Sequence, residues 1–309
     1  MTESLIFAGT PANAATTLEY LVKSGFDISL VITRPDAPVG RKRVLTPSAV
    51  AVTAERLGLQ VHKTNAIDDT CLTIIAETGC KTAVVVAFGA LLKQPALQAL
   101  SNGWFNLHYS LLPKYRGAAP VQHALLNGDR ETGVTLFKID KGLDTGDLVG
   151  SVPTQIQPGE NSARLLSRLT ELGCTLLNQE LPGVLLESHR LIPQDEAKGV
   201  SLAPKLNREQ ARIDWTRSAP EIERQVLAMN PEPGAWTTLG GEAFKIHEAR
   251  ELARGEAGAP GLVAFTDGRI IVATGEGAVE LLQVQPAGKQ PMPATDWARG
   301  VALPARFDA

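Results

Sequence analysis

An amide and an imidazole stand two residues apart in the segment Asn106-Leu107-His108-Tyr109-Ser110-Leu111-Leu112-Pro113-Lys114-Tyr115-Arg116-Gly117, and together they can act on an acyl group. The asparagine NH2 is a neutral donor suited to an oxygen that turns negative as a carbonyl becomes tetrahedral. Histidine carries protons, with a free pKa of about 6.5 that a neighbouring carboxylate raises. A carboxylate is available from Asp144, in the loop Lys141-Gly142-Leu143-Asp144-Thr145-Gly146-Asp147. These three groups describe acyl transfer. No serine or cysteine sits in a Gly-x-Ser-x-Gly elbow, so the nucleophile is expected to come from the acceptor rather than from the enzyme. Taken singly, Asn-x-His is common, a lone histidine is more often structural, and Asp144 would be a turn residue.

The elements that must hold these groups follow from periodicity. Gly103-Trp104-Phe105 opens a short buried strand, so Trp104, Asn106 and His108 share one face while Phe105 and Leu107 pack the other. Pro113 keeps Leu112 extended, Gly117 frees the backbone, and Pro120 restarts a helix. Upstream, strands at 4–9, 28–33, 61–63 and 82–87 alternate with helices at 11–24, 47–57, 67–78 and 95–100. Downstream come a helix at 121–126, strands at 133–140 and 148–156, and a long amphipathic pattern at 163–186, interrupted at Gly173, that fits a helix ending near Pro182 or a few residues later. This order implies an α/β fold with a mostly parallel, Rossmann-like sheet covered by helices on both faces. The turn Gly9-Thr10-Pro11 offers one glycine where a dinucleotide fingerprint needs three, and reads as a plain strand-to-helix turn.

From Ser188 the apolar periodicity weakens, and past it the chain changes character. A helix at 220–228 precedes five short strands at 235–239, 243–249, 261–265, 269–273 and 279–285, with Asp267-Gly268 and Glu276-Gly277 as hairpin turns. A small barrel of the oligonucleotide-binding type is the expected second fold. The expected organisation is therefore a catalytic domain at 1–187, a linker at 188–206 and a barrel at 207–309.

Charge and cysteine content narrow the possibilities. The formal net charge is −3, so a polyanionic partner must be held by local patches. From Asn207 onward there are 11 basic and 14 acidic side chains, which leaves that domain needing a stripe such as Lys245, Arg250 and Lys289. Cys71, Cys80 and Cys174 form neither a disulfide framework nor a Cys-x-x-Cys zinc pair, and read as small apolar residues. The longest apolar run, residues 83–92, is far short of the roughly 20 that a spanning helix needs. No basic segment precedes an apolar stretch at the amino terminus, so the expected compartment is the cytoplasm. The expected working unit is a single chain.

Taken whole, Asn106-Leu107-His108, Ser110-Leu111-Leu112-Pro113 and Arg116-Gly117 resemble the signature of the folate-dependent formyltransferases, and Leu143-Asp144-Thr145-Gly146 is similar to that family's second motif. Phe7-Ala8-Gly9-Thr10-Pro11, Ala87-Phe88-Gly89 and Gly117-Ala118-Ala119-Pro120 extend the resemblance. Past the linker, Glu209-Gln210-Ala211-Arg212-Ile213-Asp214-Trp215 and Gln285-Pro286-Ala287-Gly288-Lys289 resemble the C-terminal domain of the branch that formylates methionyl-tRNA. The resemblance implies 10-formyltetrahydrofolate as donor, the α-amino group of initiator methionyl-tRNA as acceptor, and no metal. It implies that Asn106 and His108 donate to the formyl oxyanion, with Asp144 orienting His108 and keeping it protonated. Ser110, Leu111, Leu112, Pro113, Phe88 and Gly89 would line the folate site. The segment 34–43, an unusually long strand-to-helix loop, would bring Arg41, Lys42 and Arg43 to the acceptor end of the tRNA. A formyltransferase acting on a small amine, such as an amino sugar nucleotide, is the alternative. Two positions depart from the family pattern. Tyr109 replaces a small residue, either narrowing the donor pocket or turning outward, and Ala12-Asn13 replaces an acidic-aromatic pair.

Overall fold

The computed structural model describes residues 3–40, 43–252 and 258–308. In the first part of the chain, β1 (Leu5–Gly9), β2 (Ile28–Thr33), β5 (Val61–Lys63), β6 (Thr82–Val86) and β7 (Gly103–His108) form the parallel portion of a seven-stranded sheet. Helices α1 (Ala12–Lys23), α2 (Ala49–Arg56), α3 (Asp69–Thr78) and α4 (Gln94–Gln98) alternate with them. β1 and β6 are buried along their whole length, as continuous apolar runs require when helices cover both faces. The sheet order is β5-β2-β1-β6-β7-β8-β9, with β8 (Glu131–Lys138) and β9 (Leu148–Gln155) added antiparallel beside β7. Helix starts follow their capping residues: Ser48 accepts from the Ala51 N–H and Asp68 from the Cys71 N–H.

One core lies on the Trp104 face, where Ile6, Ala8, Leu30, Ile32 and Val85 meet Cys71 and Ile75 of α3 and Ala96 of α4. On the other face, the alternation along β7 places Leu107 against α6 (Ser162–Leu185). That helix runs through Gly173 and ends at Leu185, a few residues past Pro182 as expected. A Cβ at Gly173 would stand 2.6 Å from Leu107 Cδ2, so the glycine allows a close approach of helix to strand without ending the helix. Pro182 is also accommodated inside it.

One correction concerns the loop after β2. It contains a two-stranded antiparallel hairpin, β3 (Ala37–Val39) with β4 (Val44–Thr46), rather than only irregular chain. Its strands are exposed, so no apolar burial pattern announced them.

The compact units do not follow chain order as expected. One comprises residues 1–117, 131–155 and 166–202, and the other comprises 118–130, 156–165 and 203–309. Most of the stretch expected as a linker therefore packs within the first unit. α5 (Pro120–Leu126) belongs to the second, where it packs on α7 (Ala219–Met229).

The second unit is an antiparallel barrel: β10 (Trp236–Leu239), β11 (Glu242–Leu252), β14 (Ala278–Pro286), β13 (Arg269–Ala273), β12 (Leu262–Thr266) and β16 (Ala305–Arg306), in that order, with β15 (Met292–Pro293) pairing β14. Just past β16, the Asp308 N–H donates to Thr238 O of β10 at 2.9 Å, bringing the end strands together. The two hairpin turns lie where expected, whereas β15, α8 (Ala294–Ala298) and β16 are too short to show periodicity. Trp215, Phe244, Trp297 and Phe307 form the aromatic centre, with Trp215 stacked on Phe307 at 5.2 Å and Phe244 edge-on to Trp297 at 4.9 Å. Among the described residues no helix is long and apolar enough to cross a membrane.

Candidate active site

β7 delivers Asn106 and His108 to the end of the parallel sheet, the usual location of ligand sites in such folds. Asn106 is half-buried, and among the described residues no protein group hydrogen-bonds its side chain. His108 is 5% exposed. Its Nε2 lies 2.8 Å from Tyr115 O, and because a carbonyl only accepts, that nitrogen carries the hydrogen. Nδ1 is left facing Asp144, 3.7 Å from Oδ2.

Burial pushes the imidazole pKa below its ordinary 6.5, outweighing the Asp144 charge and the Tyr115 carbonyl, which both raise it. His108 is therefore neutral at physiological pH. This corrects the expectation that Asp144 keeps it protonated: the charged form loses more from desolvation than it gains from a carboxylate beyond hydrogen-bond range.

Asp144 occupies an uncommon backbone state, with φ of +52°, and Tyr115 and Ala87 share it at +62° and +48°. Each such residue costs about 1–3 kcal/mol and persists only where its surroundings fix it. The surroundings do so here. The Gly117 N–H donates to Asp144 Oδ2 at 2.7 Å, and Gln194 Nε2 donates to Asp144 O at 2.8 Å. Asp140 Oδ1 accepts from the Gly142 N–H and the Thr145 hydroxyl, closing the loop from its other end. Gly146 is required because a Cβ would overlap Lys138 O.

The remaining expected residues divide. Ser110 Oγ donates to Lys114 O, and Phe88 packs in the core at 2% exposure, so neither side chain is free to meet a ligand. Leu112 and Pro113 are buried, whereas Leu111 is half-buried and Gly89 exposed. Any donor site along these segments is thus built from backbone and apolar surface. Arg43, with φ of +49°, is exposed in the hairpin turn, while Arg41 and Lys42 lie outside the described residues.

Tyr109 neither turns outward nor stands alone. It is buried, with its hydroxyl accepting from Asn13 Nδ2 at 2.8 Å. The two departures from the family pattern are therefore partners of each other. Sequence reasoning missed Gln194, since a glutamine in a stretch without periodicity carries no signal. Among the described residues, no group of three or more His, Cys, Asp or Glu side chains is placed to hold a metal ion.

Comparison with known proteins adds independent evidence. Residues 3–181 match the model for "Formyl transferase", and residues 205–302 that for "Formyl transferase, C-terminal domain". The chain is 47% identical to "Methionyl-tRNA formyltransferase" of Renibacterium salmoninarum over 97% of each chain. It is 44% identical to the protein of the same name from Paenarthrobacter aurescens over 98% of each. Among solved structures, an N-formyltransferase from Helicobacter canadensis in complex with folinic acid and dTDP-3-aminofucose matches with a TM-score of 0.69, at 20% identity over 92% of this chain and 99% of that one. That last likeness concerns the fold.

Proposed function

The chain belongs to the formyl transferase family, and from that premise we propose that it passes the formyl group of 10-formyltetrahydrofolate to the α-amino group of methionine on initiator tRNA. The observation that carries the chemistry is the meeting of His108 Nδ1 and Asp144 Oδ2 at 3.7 Å, on the strand face that also presents Asn106.

An α-amino group has a reference pKa of about 7.7 to 8.0, so a useful fraction is neutral and nucleophilic at physiological pH. As it attacks the formyl carbon, the Asn106 NH2 donates to the developing oxyanion. The attacking nitrogen must then lose a proton, and neutral His108 accepts it at Nδ1. The imidazolium formed is stabilised on one side by Asp144 and on the other by Tyr115 O. When the bond from the formyl carbon to N10 breaks, the same proton passes to N10. His108 ends as it began, the amine has exchanged one hydrogen for a formyl group, and tetrahydrofolate leaves with that hydrogen.

Backbone of Ala87-Phe88-Gly89 and the Leu111–Pro113 segment would line the donor. Arg43, exposed in the hairpin turn, and Arg41 and Lys42, which lie outside the described residues, would contact phosphates of the acceptor end. In the C-terminal unit Arg250 is paired with Glu280 at 2.6 Å, which leaves the exposed Lys245 and Lys289 as the better phosphate contacts of the expected stripe. A single cytoplasmic chain is the proposed working unit.

The test is incubation of the purified chain with 10-formyltetrahydrofolate and methionyl initiator tRNA, followed by mass measurement of the released methionine. Addition of one formyl group is expected, with little on the elongator tRNA. Transfer to an amino sugar nucleotide but not to the tRNA would overturn the reading.

A further inference from the structure

The stretch from Ile192 to Leu202 runs across both loops that carry the catalytic groups. Leu148 and Ile192 exchange backbone hydrogen bonds at 2.8 and 2.9 Å. Arg116 and Leu202 form a parallel bridge, the Arg116 N–H donates to Ser201 O at 2.9 Å, and the Tyr115 N–H donates to Ser201 Oγ at 2.9 Å. Between these fixed points Gln194 uses its amide in both directions. Its Nε2 donates to Asp144 O at 2.8 Å and to Gly146 O at 2.9 Å, while its Oε1 accepts from Arg116 Nε at 3.1 Å and Nη2 at 2.7 Å. Both amide hydrogens are committed, and the oxygen takes a two-pronged guanidinium. Arg116 itself is 7% exposed, so these are interior bonds whose loss leaves a buried charge short of partners.

We propose that Gln194 is a positioning residue for Asp144, tying the Arg116-Gly117 loop to the Asp144-Gly146 loop so that the carboxylate stays opposite His108 Nδ1. It rests on the reading in which His108 and Asp144 move the proton. Two features make the tie necessary. Asp144 has a left-handed backbone conformation that costs energy outside glycine, and the carbonyl pinned by Gln194 is that of Asp144 itself. Its carboxylate is held by the Gly117 N–H, and Gly117 adjoins the arginine on the other arm of the same glutamine. Main chain and side chain of Asp144 are thus fixed through one bridge between two loops.

Two variants separate positioning from folding. Gln194→Glu keeps acceptors for Arg116 but sets a carboxylate oxygen against the carbonyls of Asp144 and Gly146. Gln194→Met keeps the length and loses all four bonds. In the full chain, Gln194→Glu is expected to retain the wild-type melting temperature while kcat falls by about tenfold to 100-fold, the scale of a misplacement near 1 Å. Gln194→Met is expected to lower kcat with KM for tRNA and folate little changed. It should also move the acid limb of the kcat–pH profile to lower pH, because a displaced carboxylate no longer raises the imidazole pKa. Wild-type kcat in Gln194→Glu, or an unmoved acid limb in Gln194→Met, would overturn the assignment. Asp144→Asn in the same assay distinguishes the two levels. Full activity there sinks the proton-transfer reading itself, whereas an inactive Asp144→Asn beside an active Gln194→Glu sinks only the role of Gln194.

Discussion

The strand-end site around the buried His108 and the barrel core are held together in different ways. Around His108 the site is tied together by directed polar bonds between named atoms: Tyr115 O on Nε2, the Gly117 N–H on Asp144, Gln194 on the carbonyls beyond. In the barrel, Trp215, Phe244, Trp297 and Phe307 pack with Ile246, Val263, Ile270 and Val279, and the force is area removed from water. Directed bonds fix a position to a few tenths of an ångström but add little net stability, while apolar packing stabilises strongly and tolerates small shifts. Changes in the first region should therefore be read in turnover, and changes in the second in melting.

The sharpest way to break that contrast is Asp144→Asn. It should lower kcat by at least about 100-fold, as expected for removal of a group supporting proton transfer, with a melting temperature close to wild type. A large loss of stability with residual catalysis in proportion to folded protein would erase the distinction. Phe244→Ala is the counterpart in the barrel. Truncating a buried aromatic costs about 3–5 kcal/mol, read from the shift in denaturant midpoint. Affinity for the folate donor, measured on the folded fraction, should be unchanged.

Gly173→Ala probes a place where packing serves geometry. The new methyl would meet Leu107 Cδ2 at 2.6 Å, between the two site residues Asn106 and His108. Overpacking of this kind costs about 1–3 kcal/mol, and because it presses on β7 it should reduce kcat as well as stability. An unaltered kcat would show that the strand does not transmit the strain.

The smallest effect is a pH dependence. His108 has a folded pKa below 6.5, so between that lower value and 6.5 the unfolded chain binds a proton that the folded chain does not. Stability therefore falls as pH drops below 6.5, and the contribution is absent above it. His108→Gln should lose less stability than wild type between pH 7 and 5 in matched urea titrations. Parallel curves for the two proteins would show that His108 contributes nothing there.

Much of this was legible in the sequence, for identifiable reasons. Continuous apolar runs such as residues 82–86 announce strands buried on both faces, and Asp267-Gly268 announces its hairpin. Asn106 and His108 on one face follow from the period of a strand. What could not be read depends on distant partners. β3 and β4 are exposed and short, so they have no pattern, and the packing reason for a glycine at 173 is hidden because the nearby Leu107 lies far away in sequence. The protonation of His108 depends on how deeply the fold buries it, and a motif does not carry depth. Tyr109 and Asn13 looked like two unrelated departures until the 2.8 Å bond between them was visible.

The account turns on an imidazole that starts neutral, with its hydrogen on Nε2 and its free lone pair directed to Asp144. Nitrogen NMR of the full chain labelled at histidine, followed across pH with His108→Gln to assign the signal, reads that state directly. At pH 7 the expected result is a neutral ring with the Nε2–H tautomer, protonating only below 6.5. An imidazolium at pH 7, or the Nδ1–H tautomer, would contradict the proton path proposed for the formyl transfer.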